Sequence, residues 1–291
     1  MKVIKSLGSG ALRALKSWKG VLLIWFVSLL LVSLFIVPMK GVMKAGFGSS
    51  TIMERLQEGI DIDVLSDLGQ YLISIISYLS AGFFLVLLLG VLINSFLAGG
   101  LFDSLKGTSG KFSMPDFFRA AARYFWYFLG LYFLIDFIIL VTGLIIIGLP
   151  VGLVAQSENA AGGLAATVGV ISMCVFLVLL VILLLVCDYS RAWLVSAEKP
   201  AFFKALGFGF SETFSRFRSS FPMMLIIMVI MALYGWLFST IIGIWKPTSG
   251  GGVFLLFLVS QLMIYMKILL KAWRYGSVTS LMEMNKLNPE E

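Results

Sequence analysis

Histidine is absent from this 291-residue chain, and with it the commonest general base and metal ligand. Charged residues make up only 13%, about half the share of an ordinary soluble domain. The two cysteines, Cys174 and Cys187, lie in one apolar run, which offers no disulfide framework and no metal spacing. There is no phosphate-cradling glycine–lysine loop, no HExxH helix, no GxSxG elbow and no carboxylate pair beside a nucleophile. These absences argue against hydrolase, nucleotide-dependent and haem chemistry. The expectation is a chain that is not an enzyme and holds no cofactor and no metal.

What the chain has is apolar length. It is 60% hydrophobic with a mean hydropathy of +1.02, and a span needs roughly 20 apolar residues to cross a ~30 Å hydrocarbon core. Six such runs fit, at about 21–39, 71–100, 124–151, 166–187, 221–243 and 252–272. They are continuous rather than alternating, which selects helices over a barrel. The predicted fold is an all-α membrane protein with six transmembrane helices arranged as three hairpins, forming one transmembrane domain over 1–291. The N-terminal apolar run is too long for a signal peptide and is followed by no small-residue cleavage site, so it reads as an uncleaved first span.

Lysine and arginine set the orientation. Five precede span 1, four lie between spans 2 and 3, five between spans 4 and 5, and four at the C-terminal end. The other side holds Lys40, Lys44, Arg55 and Lys246. Eighteen against four puts both termini in the cytoplasm. The net charge of +7 is then explained by orientation and by anionic headgroups of the cytoplasmic leaflet, with no nucleic acid as partner. The outer loop at 40–70 carries a capping box (Thr51, Glu54), a helix stop (Gly59) and an acidic cluster (Asp61, Asp63, Asp67). That cluster lacks the glycine and terminal glutamate of an EF-hand loop and reads as a solvated face.

An internal similarity lies on the basic side. Residues 101–125, LFDSLKGTSGKFSMPDFFRAAARYF, align without gaps to 186–210, VCDYSRAWLVSAEKPAFFKALGFGF, at an offset of 85. Asp103 meets Asp188, Pro115 meets Pro200, and Phe117-Phe118 meet Phe202-Phe203. Lys106 faces Arg191, and Arg119 faces Lys204. The pattern predicts a duplicated two-span unit, each led by an amphipathic elbow helix lying in the inner interface. Ser113 would cap the first elbow, with Asp116 in its first turn. Phe117, Phe118, Phe202 and Phe203 would dip below the headgroups while Arg119, Arg123 and Lys204 stay with lipid phosphates. Residues 1–20, with Val3, Leu7, Ala11, Leu15 and Trp18 at helical spacing, suggest a third interfacial amphipathic helix. The tail KAWRYGSVTSL would answer to it, with Arg274 and Tyr275 near where Asp188 and Tyr189 project.

Polar residues inside the apolar runs are few. Asp136 lies about 12 residues into span 3, close to mid-membrane at ~1.5 Å per residue. An ionised carboxylate there costs roughly 2.5–3.5 kcal/mol and calls for a partner or a proton. Gln261 in span 6 reaches similar depth and is the preferred partner, with Lys267 deeper toward the cytoplasm. Asn94 in span 2 reads as interhelical glue. Asp136 is either a proton or cation site or a packing hydrogen bond, and the second reading is favoured because no other carboxylate shares its depth.

The elbows LAGGLFDSL, FSMPDFFRAAARYFWYFL, DYSRAWLV and KPAFFKA, with MERLQEGIDIDVLSDL in the outer loop, carry a resemblance. The chain resembles uncharacterised six-span bacterial membrane proteins, and its layout is similar to the membrane domains of some glycerophosphodiester phosphodiesterases. That resemblance implies a bacterial-type inner membrane and supplies no catalytic residue; the phosphodiesterase barrel itself is missing. Two functions stay open at this point. One is a non-catalytic scaffold or accessory subunit of an envelope or transport complex, with a membrane protein partner. The other is a transporter or channel for a small or lipidic solute.

Overall fold

A computed structural model describes residues 2–47, 69–107, 112–155, 162–247 and 249–287. The capping box, helix stop and acidic cluster expected at 51–67 lie outside the described residues. Every described element is helical: α1 (Lys2–Lys16), α2 (Trp18–Phe47), α3 (Gly69–Ser104), α4 (Met114–Gly143), a π-helical turn (Leu144–Gly148), α5 (Leu149–Ala155), α6 (Gly162–Ser196), α7 (Phe202–Ser215), α8 (Phe217–Ile244) and α9 (Gly250–Leu287). Five of these stretches are long and apolar enough to cross a membrane, or six if α1 and α2, bent by 65° at Ser17, count as one broken span. This is the architecture of a multi-pass membrane protein.

The helices outrun the hydrocarbon. With ~1.5 Å rise per residue and ~20 residues needed to cross, the 38 residues of α9 and the 35 of α6 extend well past the apolar layer. Expected spans ending at 187 and 272 therefore continue as helix to Ser196 and Leu287. The first elbow also differs from expectation. Residues 114–143 form one unbroken helix, so no separate interfacial helix precedes span 3. Ser113 takes the extended N-cap conformation (φ −123°, ψ 122°), but its hydroxyl makes no cap hydrogen bond. The second elbow does form its own helix, α7, broken from α8 at Arg216.

The chain divides into two compact units: 24–94, and 1–23 together with 95–291. In the smaller unit, α2 approaches α3 where Leu31 meets the bare backbone of Gly90. Ser28 and Ser33 donate to carbonyls one turn back, which satisfies their hydroxyls inside an apolar helix.

In the larger unit, burial concentrates at one end of each helix. Leu101, Phe102, Phe117, Phe128, Leu131, Leu185, Tyr189, Leu194, Met223, Tyr275 and Leu281 are almost wholly buried. The opposite halves expose Leu140, Leu144, Val170, Leu177, Leu233, Trp236, Phe254 and Leu258, the composition a lipid-facing surface requires. Small residues make the packed end tight. Gly10 of α1 lies against the backbone of Gly276 and Ser277 on α9, and Gly209 of α7 lies against Ser190 and the Val186 carbonyl on α6. Gly99 and Gly100 of α3 meet Ala120, Ala121 and Phe117 of α4. Any side chain at these glycines would meet a neighbouring helix's backbone.

One helix carries a built-in irregularity. Pro150 cannot donate to the carbonyl a turn earlier, and the chain adapts just ahead of it. The Leu149 N–H bonds to the Leu144 carbonyl, five residues back, giving the π-turn.

Candidate functional site

The packed end is centred on charge. Asp188 on α6 is fully buried, and the Arg274 guanidinium of α9 lies against it, with Nε 2.9 Å from Oδ2 and Nη2 donating to Oδ1 at 3.4 Å. The Nε contact is a close ion pair in which the N–H points off the oxygen. Arg191, one turn along α6, brings Nη1 to 3.8 Å from Oδ1 and is itself 7% exposed. Two guanidinium groups thus share one carboxylate. Desolvating charges costs several kcal/mol per ion, so such a cluster persists only with close partners around it.

Aromatic faces supply part of that surround. The Arg191 guanidinium sits 5.7 Å from the Phe128 ring and that of Arg274 5.0 Å from Tyr275, within cation–π range. Tyr275 stacks on Phe102 at 4.4 Å, and Phe102 meets Phe128 edge-on at 5.7 Å. The cluster therefore ties α3, α4, α6 and α9 together at one level. Around it the Tyr189 hydroxyl shares a 2.7 Å hydrogen bond with Ser220 of α8. Arg13 of α1 reaches both Glu283 (2.7 Å) and the Leu105 carbonyl (3.2 Å), while Glu283 also accepts from the Gly107 N–H at 3.0 Å.

Asp136 has a different setting from the one its position suggested. It is exposed on α4, within hydrogen-bonding reach of the Tyr132 hydroxyl one turn earlier. Its neighbour Ile135 points inward and packs with Leu183, Val186 and Cys187. Residues 137–155 carry no charge and by themselves extend about 28 Å, nearly the full ~30 Å core. Asp136 stands near the middle of the long apolar stretch Met114–Val154, with uncharged residues on both sides of it and the Arg191 charge nearby.

The expected partners are elsewhere. Among the described residues no hydrogen bond or ion pair joins Asp136 to Gln261 or Lys267, because α4 packs on α6 and α7 whereas α9 packs on α1, α6 and α8. Gln261 is half-buried on α9. Lys267 is exposed and lines a cavity of about 270 Å³ between α8 and α9, beside Tyr234, whose hydroxyl donates to the Met263 carbonyl. Asn94 is half-buried and engaged on α3.

The paired phenylalanines split their roles. Phe117 is buried against Gly100, and Phe202 lies over Gly130 of α4, so both turn inward rather than to lipid. Phe118 and Phe203 face outward. Arg119 is exposed and paired with Asp116 on its own helix (2.9 Å), Arg123 reaches the Glu198 carbonyl at 3.5 Å, and Lys204 is exposed.

The ion cluster was the feature that sequence reading missed. Asp188, Arg191 and Arg274 were visible as elbow residues and counted as interfacial charge. The available signal was the Asp-x-x-Arg spacing at the end of an apolar run, which sets both groups on one helix face.

Comparison with protein families, with curated proteins and with solved structures found no match. The fold and its apolar helices define the class, a multi-pass α-helical membrane protein.

Proposed function

We propose that this chain is a non-catalytic membrane protein, a scaffold or accessory subunit whose packed, basic end serves as a platform for a membrane protein partner. One observation carries the reading. The unbroken helix α4 begins ten residues before the apolar run that starts at 124, and across that junction Phe118, Arg119, Ala122 and Trp126 are exposed. Phe118, Ala122 and Trp126 at i, i+4 and i+8 make one stripe with Arg119 beside it, and arginine and tryptophan are among the residues that most often anchor protein interfaces. The cluster behind it fixes the helices that present the stripe.

The same reading places the basic end at the cytoplasmic face of a bacterial-type inner membrane, with six spans in three hairpins and both termini inside. It also keeps the duplication. In support, the aligned pairs Asp103–Lys106 and Asp188–Arg191 both face each other one turn apart. The first phenylalanine of each pair turns in and the second out. Kinship with the six-span bacterial proteins that the elbows resemble belongs to this proposal. Mild-detergent purification from native membranes tests it: a stoichiometric protein partner is expected, and a lone chain carrying one bound solute would contradict it.

Transport is the second reading, favoured by an exposed Asp136 eight residues before the π-turn, since π-turns in helices often mark functional sites. The Asp136→Asn variant in reconstituted vesicles separates the two. The platform reading expects proton- and solute-dependent flux equal to that of the unaltered chain. Flux lost with the melting temperature preserved would establish transport instead.

A further inference from the structure

Helix α7 presents its residues in an unusual order of size. It buries Ala205, Gly209 and Thr213 against its neighbours and turns Phe203, Phe210 and Phe214 outward, with Phe203 83% exposed. In water this arrangement would leave aromatic area unburied, at about 25 cal/mol per Å². Against acyl chains it costs nothing, so the stripe specifies a lipid-facing side.

The stripe runs into a cavity. At the α7–α8 turn, a space of about 800 Å³ is lined by Lys2, Arg216 and Arg218, by the hydroxyl residues Ser215 and Ser219, and by Phe214 and Phe217 on its apolar flank. Four helices converge there, since α7 and α8 are joined by Lys2 from α1 and Asn285, also in the wall, from α9. Among the described residues none of the lining groups is a carboxylate. Glu212, in the last turn of α7, is engaged by the Asn285 amide at 2.8 Å. Asn285 is itself 6% exposed, and with Nδ2 committed to Glu212 its Oδ1 has no hydrogen-bond partner. The case rests on the sign of the charge and its placement at the end of an aromatic stripe, with a helix beginning at Phe217 whose N-terminal dipole adds to the same sign.

We propose that this cavity binds the phosphate of an anionic phospholipid whose acyl chains lie along Phe210 and Phe214. Arg216, Arg218 and Lys2 meet the phosphate, Ser215 donates to its oxygens, and a headgroup hydroxyl donates to the free acceptor of Asn285. This deepens the platform reading by giving the basic end a defined lipid as well as a protein partner.

Native mass spectrometry of the full chain in detergent, titrated with dioleoyl phosphatidylglycerol or dioleoyl phosphatidylcholine, tests it. Phosphatidylglycerol is expected to bind more tightly. The Lys2→Gln/Arg218→Gln double variant should weaken it by roughly fivefold per cation removed, whereas Lys199→Gln should not. Phe214→Ser should weaken both lipids alike, and millimolar inorganic phosphate should fail to displace either. Unchanged phosphatidylglycerol binding in the double variant would overturn the site. Displacement by inorganic phosphate with no effect of Phe214→Ser would overturn the lipid as its occupant and assign a soluble phosphate. If the double variant does not fold, the phosphate competition and Phe214→Ser decide the matter. A missing protein partner would leave lipid retention untouched, so the two readings fail separately.

Discussion

At the scale of residues, the decisive feature is a carboxylate shared unequally by two arginines. Arg274 makes the close contact and Arg191 the longer one, so their removal should differ. Asp188→Asn leaves two buried guanidinium groups facing each other, and removing one partner of a buried pair costs about 3–5 kcal/mol. Arg274→Met should approach that cost. Arg191→Met removes the excess charge, keeps the 2.9 Å pair, and should be the mildest of the three. Melting temperatures in detergent check the order; an Arg191→Met variant as unstable as Asp188→Asn would refute it. The three-residue cluster as a whole is not legible in the chain, because a single sequence does not say which helix ends meet. Asp188 and Arg191 could be put on one face by spacing, but Arg274 lies 86 residues further on and joins them only through packing of α9 on α6. For Asp136 the run gave a position along the helix, but its exposed side and the lack of a bond to Gln261 or Lys267 among the described residues follow from the packing of α4 on α6 and α7.

At the scale of elements, the apolar runs were readable and their ends were not. Run length and continuity are local properties, so all six stretches appear as helix. The extensions to Ser196 and Leu287 are mixed in composition and are held by contacts with α7 and α1, which no local pattern records. The same holds for α4. Proline and an acidic first turn correctly started a helix near 114, but nothing local distinguished a straight rod from an elbow. Glycines in α7 give a sharp test of the packing. Gly209 faces the Val186 carbonyl and Ser190, whereas Gly207 faces open space. Gly209→Ala should destabilise by about 1–3 kcal/mol through overpacking. Gly207→Ala should stabilise by up to ~1 kcal/mol through helix propensity. Thermal melts of the two variants check this, and equal effects would mean that α7 does not pack on α6 as described.

At the scale of the whole molecule, the larger unit combines two kinds of surface and one kind of core. Its apolar helix halves are exposed and suit lipid. Its packed end joins helices through glycine contacts, hydroxyl bonds and the ion cluster, and it carries the basic residues that sequence counting assigned to the cytoplasm. On the proposed platform reading, the precision of the packed end would serve to present its surface to a partner. The platform claim meets its most direct test at Ala122, a small exposed residue in the centre of the α4 stripe, where a photoreactive side chain can be introduced without disturbing packing. Irradiation in native membranes should yield one protein adduct of discrete mass, lost when Trp126 is replaced by alanine. Lipid adducts alone, or none, would contradict the platform and leave α4 as a helix facing only the bilayer and water.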